Sequence, residues 1–168
     1  DWDNIQPIPL NIGYIAAYLK NKHPEVSIEL FKDPIKLRNR ISEQAPDVLA
    51  TSHYQWNSNL NLAILKQVKE KNPSTITVMG GPNFNGVDLN WIHNFFQERP
   101  NLDAYIYGEG EWSFTRFVEL LQGNDKKIYN IPFEELPGSV FYLDKKLNKI
   151  INNLKNFVER LNLTDHPS

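Results

Sequence analysis

A doubly wound α/β fold built on a parallel sheet is predicted by three features of this 168-residue chain. Short β-branched runs alternate with longer spans of helical periodicity, the pattern that lays helices on both faces of a parallel sheet. One run, Thr75-Ile76-Thr77-Val78-Met79, carries no charge and stops abruptly at Gly80-Gly81-Pro82. It reads as a buried strand whose carboxyl end leaves main chain bare. Two other strand candidates also end in special loops, Ser52-His53-Tyr54-Gln55-Trp56-Asn57 and Gly108-Glu109-Gly110-Glu111. In an open α/β sheet those ends share one rim, and ligands bind beyond it.

Taken in order, residues 1–9 are polar and broken by Pro7 and Pro9, hence a loop. Asn11 to Lys22 places Ile12, Ile15, Ala16 and Leu19 at helical spacing, and Pro24 ends it. Gly13 in its first turn is costly unless packing or a ligand requires it. Val26 to Phe31 alternates apolar and polar and predicts a strand. Pro34 to Gln44 predicts a helix turning Ile35, Leu37 and Ile41 inward. After Pro46, Asp47 to Ser52 predicts a second buried strand, followed by the polar-aromatic loop. Leu60 to Lys71 is amphipathic through Leu62, Ile64, Leu65 and Val68, and Asn72-Pro73 terminates it.

Beyond the glycine pair, Asp88 to Glu98 predicts a helix burying Leu89, Ile92, Phe95 and Phe96. Leu102 to Tyr107 is a short strand. Trp112 to Gln122 is a helix with Phe114, Phe117, Val118 and Leu121 inward, capped by Gly123. The pattern changes after Asp125. Gly138 to Tyr142 and Asn148 to Ile151 flank a polar turn and predict a β-hairpin. Leu154 to Leu161 predicts a last short helix before a linker-like end. The expected division is therefore a ligand-binding unit over 1–125 and a hairpin-plus-linker over 126–168. Doubly wound sheets normally open on a strand feeding the first helix, whereas this chain starts at the loop after it. The expectation is a fragment lacking its first strand, with strand edges open to a second copy as a homodimer.

Composition narrows the function. Hydrophobic content of 40% with 23% charge is that of an ordinary soluble globular chain. A net charge of −2 gives no electrostatic case for nucleic acid. No apolar run is long enough for a membrane span, and no signal segment opens the chain, so a cytoplasmic setting is expected. Absence of cysteine removes disulfides, thiolate nucleophiles and cysteine-held iron–sulfur or zinc centres from this polypeptide.

Each special loop has a bland reading. Gly80-Gly81 can be a tight turn, and Gly108-x-Gly110 a helix start with Glu111 favouring its dipole. Tyr54 and Trp56 can fold onto the core. Together, three such loops at one rim favour a binding cleft. Glu109 and Glu111 oppose a phosphate at the last helix. No G-x-G-x-x-G follows a strand, and no G-x-S-x-G surrounds Ser52. His53 has no second ligand at metal spacing nearby. The acid–base inventory is thin, so binding is favoured over catalysis.

An ordered set of motifs resembles one family. It comprises Pro9-Leu10-x-x-Gly13-Tyr14-Ile15-Ala16-Ala17-Tyr18-Leu19, Pro46-Asp47-Val48-Leu49 with Ser52, Gly80-Gly81-Pro82, Asp103 leading to Gly108-Glu109-Gly110-Glu111, and Pro137-Gly138-Ser139-Val140 with its hairpin. They are similar to the cobalamin-binding N-terminal domain of cobalamin-dependent radical S-adenosylmethionine enzymes, over nearly the whole chain. The resemblance implies a flavodoxin-like (Rossmann-like) sheet with cobalamin over its carboxyl edge. It implies that Ser52 hydrogen-bonds the dimethylbenzimidazole base and that the nucleotide tail runs against Gly80 and Gly81. It places Leu10, Gly13, Tyr14, Tyr54, Trp56, Asn57, Pro82 and Gly108 to Glu111 around the same crevice. Many cobalamin domains carry Asp-x-His-x-x-Gly, whose histidine binds cobalt; this chain has Ile8-x-Leu10-x-x-Gly13 instead. Leucine has no lone pair to give, so binding is expected to be histidine-independent, with Tyr14, Tyr54 or Trp56 over the lower face. The iron–sulfur cluster and S-adenosylmethionine would belong to a downstream radical domain, in a methyltransferase or another rearranging enzyme. The rival readings are a flavodoxin-like or nucleotide-sugar transferase domain, and a structural docking module with a degenerate cleft.

Overall fold

The computed structural model describes residues 10–153. Five strands form one sheet in chain order: β1 (Val48–Ser52), β2 (Ile76–Gly80), β3 (Ala104–Ile106), β4 (Val140–Asp144) and β5 (Lys149–Ile151). The first three run parallel, and β4 and β5 close the far side as an antiparallel hairpin paired to β3. The sheet is thus mixed, with the expected parallel order in its binding half. The hairpin turn ends on Asn148, which takes a positive φ of 49°.

Helices cover both faces. Helices α1 (Leu10–Lys22) and α5 (Gly110–Gly123) pack together on one face. The other carries α2 (Pro34–Glu43), α3 (Ser58–Lys71) and α4 (Leu89–Gln97). Strand alternation sorts the core accordingly. Leu49, Met79, Tyr105, Phe141 and Leu143 meet α2, α3 and α4 through Ile41, Leu65, Val68, Ile92 and Phe96. Val78, Ala104, Ile106, Val140 and Tyr142 meet α5 through Phe117, Leu120 and Leu121.

Helix ends follow local chemistry. The Asp33 and Asp88 carboxylates accept from the first free amides of α2 and α4. The amino ends of β2 and β3 are tied by one buried knot. There Asp103 accepts from the Thr77 amide (2.8 Å) and hydroxyl (3.0 Å) and pairs with the Lys69 ammonium.

Several expectations need correction. Val26 to Phe31 forms no strand and pairs with none of the described strands. β1 is only partly buried: Leu49 is covered while Ala50 is exposed. Ile35 and Leu89 face outward, at 67% and 60% exposure, since each sits in a first turn that overhangs the core. Gly123 is the last residue of α5 rather than its cap. The left-handed exit falls on Asp125 and Lys126, both at φ 56°. The loop expected over 1–9, the helix over 154–161 and the end beyond it lie outside the described residues.

Candidate functional site at the carboxyl rim

The ends of the parallel strands are level. Ser52 pairs in register with Gly80, and Gly80 with Ile106. Beyond them stand the start of α3, the Gly81–Asp88 loop, and the Gly108 turn into α5. The start of α1 joins this rim, because the Asn11 side-chain amide donates to the Tyr54 hydroxyl at 3.0 Å. A cavity of about 830 Å³ opens here and runs down the outer side of β1. Ser52, Gly80, Gly81, Gly108, Glu109, Gly110 and Glu111 all line its upper end. The other seven expected residues, Leu10, Gly13, Tyr14, Tyr54, Trp56, Asn57 and Pro82, do not line it.

The glycines separate into two groups. A Cβ on Gly81 would lie 2.5 Å from the His53 carbonyl oxygen, and its φ is +144°. A Cβ on Gly110 would lie 2.8 Å from Ile15 Cδ1. Gly81 meets backbone that cannot give, whereas Gly110 meets the tip of a side chain that can turn aside, so the packing requires glycine at Gly81. Gly108, at φ +77°, faces open space, and so does Gly13. Main chain is therefore left uncovered at Gly108 and Gly13. At Gly81 the bareness is used internally.

The loop after β1 is held by amide side chains. Asn57 accepts from the Tyr54 amide at 2.9 Å and donates to the Ser52 carbonyl at 2.9 Å. Asn61, which the sequence reading missed, donates to the same carbonyl at 2.8 Å and is buried. Its spacing of four from Asn57 on one helix face was the available signal. The Ser52 hydroxyl itself makes no hydrogen bond to the other described residues. Tyr54 and Trp56 stack on each other at 4.6 Å rather than folding onto the core, and Trp56 is 80% exposed. Leu10 and Tyr14 are likewise exposed on α1, and Pro82 at the surface beyond β2.

His53 is a strut. It is buried, with Nδ1 3.2 Å from the Tyr105 hydroxyl and Nε2 3.3 Å from the Ser58 hydroxyl. Tyr105 donates to the Gly81 carbonyl at 3.0 Å, so its oxygen accepts from Nδ1–H and Ser58 donates to Nε2. Burial, helped by the Arg99 charge, holds the His53 pKa below its ordinary value. The imidazole is neutral at pH 7 and both its nitrogens are occupied. Burial also pushes the Tyr105 phenol upward, so it stays a donor. The strut links the loops after β1 and β2 to the middle of β3.

Comparison with known proteins adds to this geometry. The family model described as the B12 binding domain matches residues 6–118. The chain is 33% identical over 116 residues to the cobalamin-dependent radical SAM methyltransferase TokK of Streptomyces tokunonensis, covering 66% of this chain and 16% of that protein. It is 34% identical over 120 residues to the 2-(S-pantetheinyl)-carbapenam-3-carboxylate methyltransferase of Streptantibioticus cattleyicolor, covering 68% and 16%. It is 30% identical over 156 residues to the cytidylyl-2-hydroxyethylphosphonate methyltransferase of Streptomyces wedmorensis, covering 79% and 28%. The chain thus spans less than a third of the length of each. No helix among the described residues is long and apolar enough to cross a membrane.

Proposed function

Because this chain belongs to the B12-binding domain family, we propose that it is the cobalamin-holding module of a radical S-adenosylmethionine methyltransferase and performs no chemistry by itself. The observation that carries the reading is the rim. Ser52 with its hydroxyl unused, Gly80, and Gly108 facing open space stand at the ends of adjacent parallel strands and line one cavity. A large group entering at this rim meets main chain, the Ser52 hydroxyl and the Glu109 and Glu111 carboxylates, with no Lys or Arg among those rim residues to cradle a bare phosphate. The residues present fit a broad, mostly neutral macrocycle bearing a nucleotide tail.

In this reading Ser52, Gly80, Gly81 and Gly108 to Glu111 receive the tail. Leu10, Gly13, Tyr14, Tyr54, Trp56, Asn57 and Pro82 border the macrocycle above. The stacked Tyr54–Trp56 pair offers it a flat apolar platform. Bound cobalamin would supply a cobalt centre able to carry a methyl group. Binding would be histidine-independent: Leu10 offers no ligand, and both His53 nitrogens are engaged within the protein. An iron–sulfur cluster and S-adenosylmethionine would sit in a partner radical domain of the same cytoplasmic enzyme.

The test is a gel filtration of the chain with hydroxocobalamin, read by visible absorption of the protein peak. Co-elution of the chromophore, its spectrum free of a protein-nitrogen signature, is the expected result. Ser52→Ala should weaken co-elution while leaving the fold intact, because the Ser52 hydroxyl makes no hydrogen bond to the other described residues. A flavin or nucleotide-sugar raising the melting temperature where hydroxocobalamin does not would replace this reading with the transferase one. Response to none of these would leave a docking module.

A further inference from the structure

The loop from β2 to α4 holds Asn85-Gly86, the one Asn-Gly pair in the sequence. Its flanks are fixed. Phe84 is buried and stacks on Tyr105 with ring centroids 4.1 Å apart. The ring of Tyr107 lies against Gly86, where an added Cβ would meet Tyr107 Cδ1 at 3.0 Å. Two residues further on, the Asp88 carboxylate caps α4 by accepting from the Asn90 and Trp91 amides. Between these anchors Asn85 is exposed. Its side-chain oxygen accepts from the Val87 amide at 3.3 Å, an Asx turn. An oxygen that reaches the amide two residues on lays its Cγ over the amide in between, which is that of Gly86. The Gly86 amide makes no hydrogen bond among the described residues, and neither does the Asn85 side-chain nitrogen. Without a Cβ on Gly86, its nitrogen is open to the side-chain carbonyl carbon.

We propose that Asn85 is a site of spontaneous main-chain rearrangement, at which the Gly86 nitrogen closes on the Asn85 side chain and leaves isoaspartate in the rim loop. The Gly86 N–H gives its proton to water as the nitrogen bonds to Asn85 Cγ. The Cγ–Nδ2 bond then breaks and ammonia leaves, giving a five-membered imide. One water opens that ring. Attack at the Asn85 main-chain carbonyl leaves isoaspartate, and attack at Cγ leaves aspartate. No oxidant or metal enters the balance. The Val87 amide already points at the oxygen that becomes an oxyanion in the first step, so its bond strengthens as charge develops. At 3.3 Å it is longer than an ordinary amide hydrogen bond and restrains the side chain little. Asn57, followed by the small Ser58, is the contrary case. Its oxygen accepts from the Tyr54 amide and its nitrogen donates to the Ser52 carbonyl, each at 2.9 Å, so the side chain is held at both ends. The product alters the rim. Isoaspartate adds one carbon to the main chain between Phe84 and Gly86, and it sets a new carboxylate near that of Asp88.

The rearrangement does not depend on cobalamin, and its test is read without the cofactor. The chain is incubated at neutral pH, either folded or held unfolded in guanidinium chloride. It is then digested, and the peptides containing Asn85 and Asn57 are followed by mass. Isoaspartate is counted separately, by methyl transfer from labelled S-adenosylmethionine with a protein isoaspartyl methyltransferase as the probe. Opening an exposed loop costs little, so folded Asn85 should convert from amide to acid at no less than about one tenth of its unfolded rate. Methyl-accepting groups should appear in step with that mass change, and Asn57 should lag far behind. Asn85→Gln, a change at an exposed position, should remove most of the methyl acceptance. Conversion of folded Asn85 slower than about one tenth of the unfolded rate would overturn the proposal. So would conversion without methyl acceptance, which would mean direct hydrolysis of the side chain. Asn57 keeping pace with Asn85, or methyl acceptance undiminished in Asn85→Gln, would overturn it too.

Discussion

β1 and β2 are neighbours of equal length and similar apolar content, paired in register along their whole length. Yet β2 is covered along its first four residues, whereas β1 is covered only at Leu49. Their side chains do not explain the difference; their neighbours do. β2 has a strand on each side and a helix layer on each face. β1 has one strand partner and, on its other side, the cavity. Burial in a parallel sheet is a property of position as much as of residue type. The molecule is accordingly divided into a closed part, from β2 to β4, and an open part around β1 and α1.

Substitutions can break this contrast, beginning with the strongest. Asp103→Ala unties the knot at the amino end of the closed part and strands the largely buried Lys69 ammonium, so it should cost about 4 kcal/mol in urea denaturation. Met79→Ala, at a fully covered position on β2, should cost about 3 kcal/mol. Gly81→Ala tests the joint between the two parts. Its Cβ would press on the His53 carbonyl at a strained φ, for a loss of about 2 kcal/mol. Val48→Ala on β1 should cost below about 1 kcal/mol, since its side chain is half in solvent already. A loss at Val48 as large as at Met79 would mean that the open part is closed in solution.

Acid supplies a finer probe. The folded His53 pKa lies below the unfolded value of 6.5, so near and below that pH the unfolded chain binds more protons. Stability should fall as pH drops from 7 through 6.5 and on toward the folded pKa. Comparing wild type with His53→Gln by urea titration at stepped pH checks this: the variant should lose slope in that window.

Much of the closed part was legible because local pattern and final environment agree. The uncharged run before Gly80 becomes the buried β2, and the Ile92, Phe95, Phe96 spacing becomes the inner face of α4. The open part was harder to read, because periodicity reports which face a segment would bury, not whether a neighbour is there. Val26 to Phe31 has the alternation of a strand and yet forms none among the described residues. At the site, the convergence of Ser52, Gly80 and Gly108 was visible as three strand ends. The division of glycines was not: Gly81 and Gly108 look alike in sequence, and only the distance to the His53 carbonyl separates them. Asn61 and Tyr105 were hidden because a helix-face amide and a strand aromatic look like ordinary surface and core.

The bridge from His53 through Tyr105 to Gly81 contains no charge. Ionic strength, which loosens surface ion pairs, has nothing in it to screen. Brine should therefore leave this bridge as it is, while acid below its lowered pKa presses a proton onto the one member that has no room for it. Such a bridge is indifferent to salt and sensitive to acid.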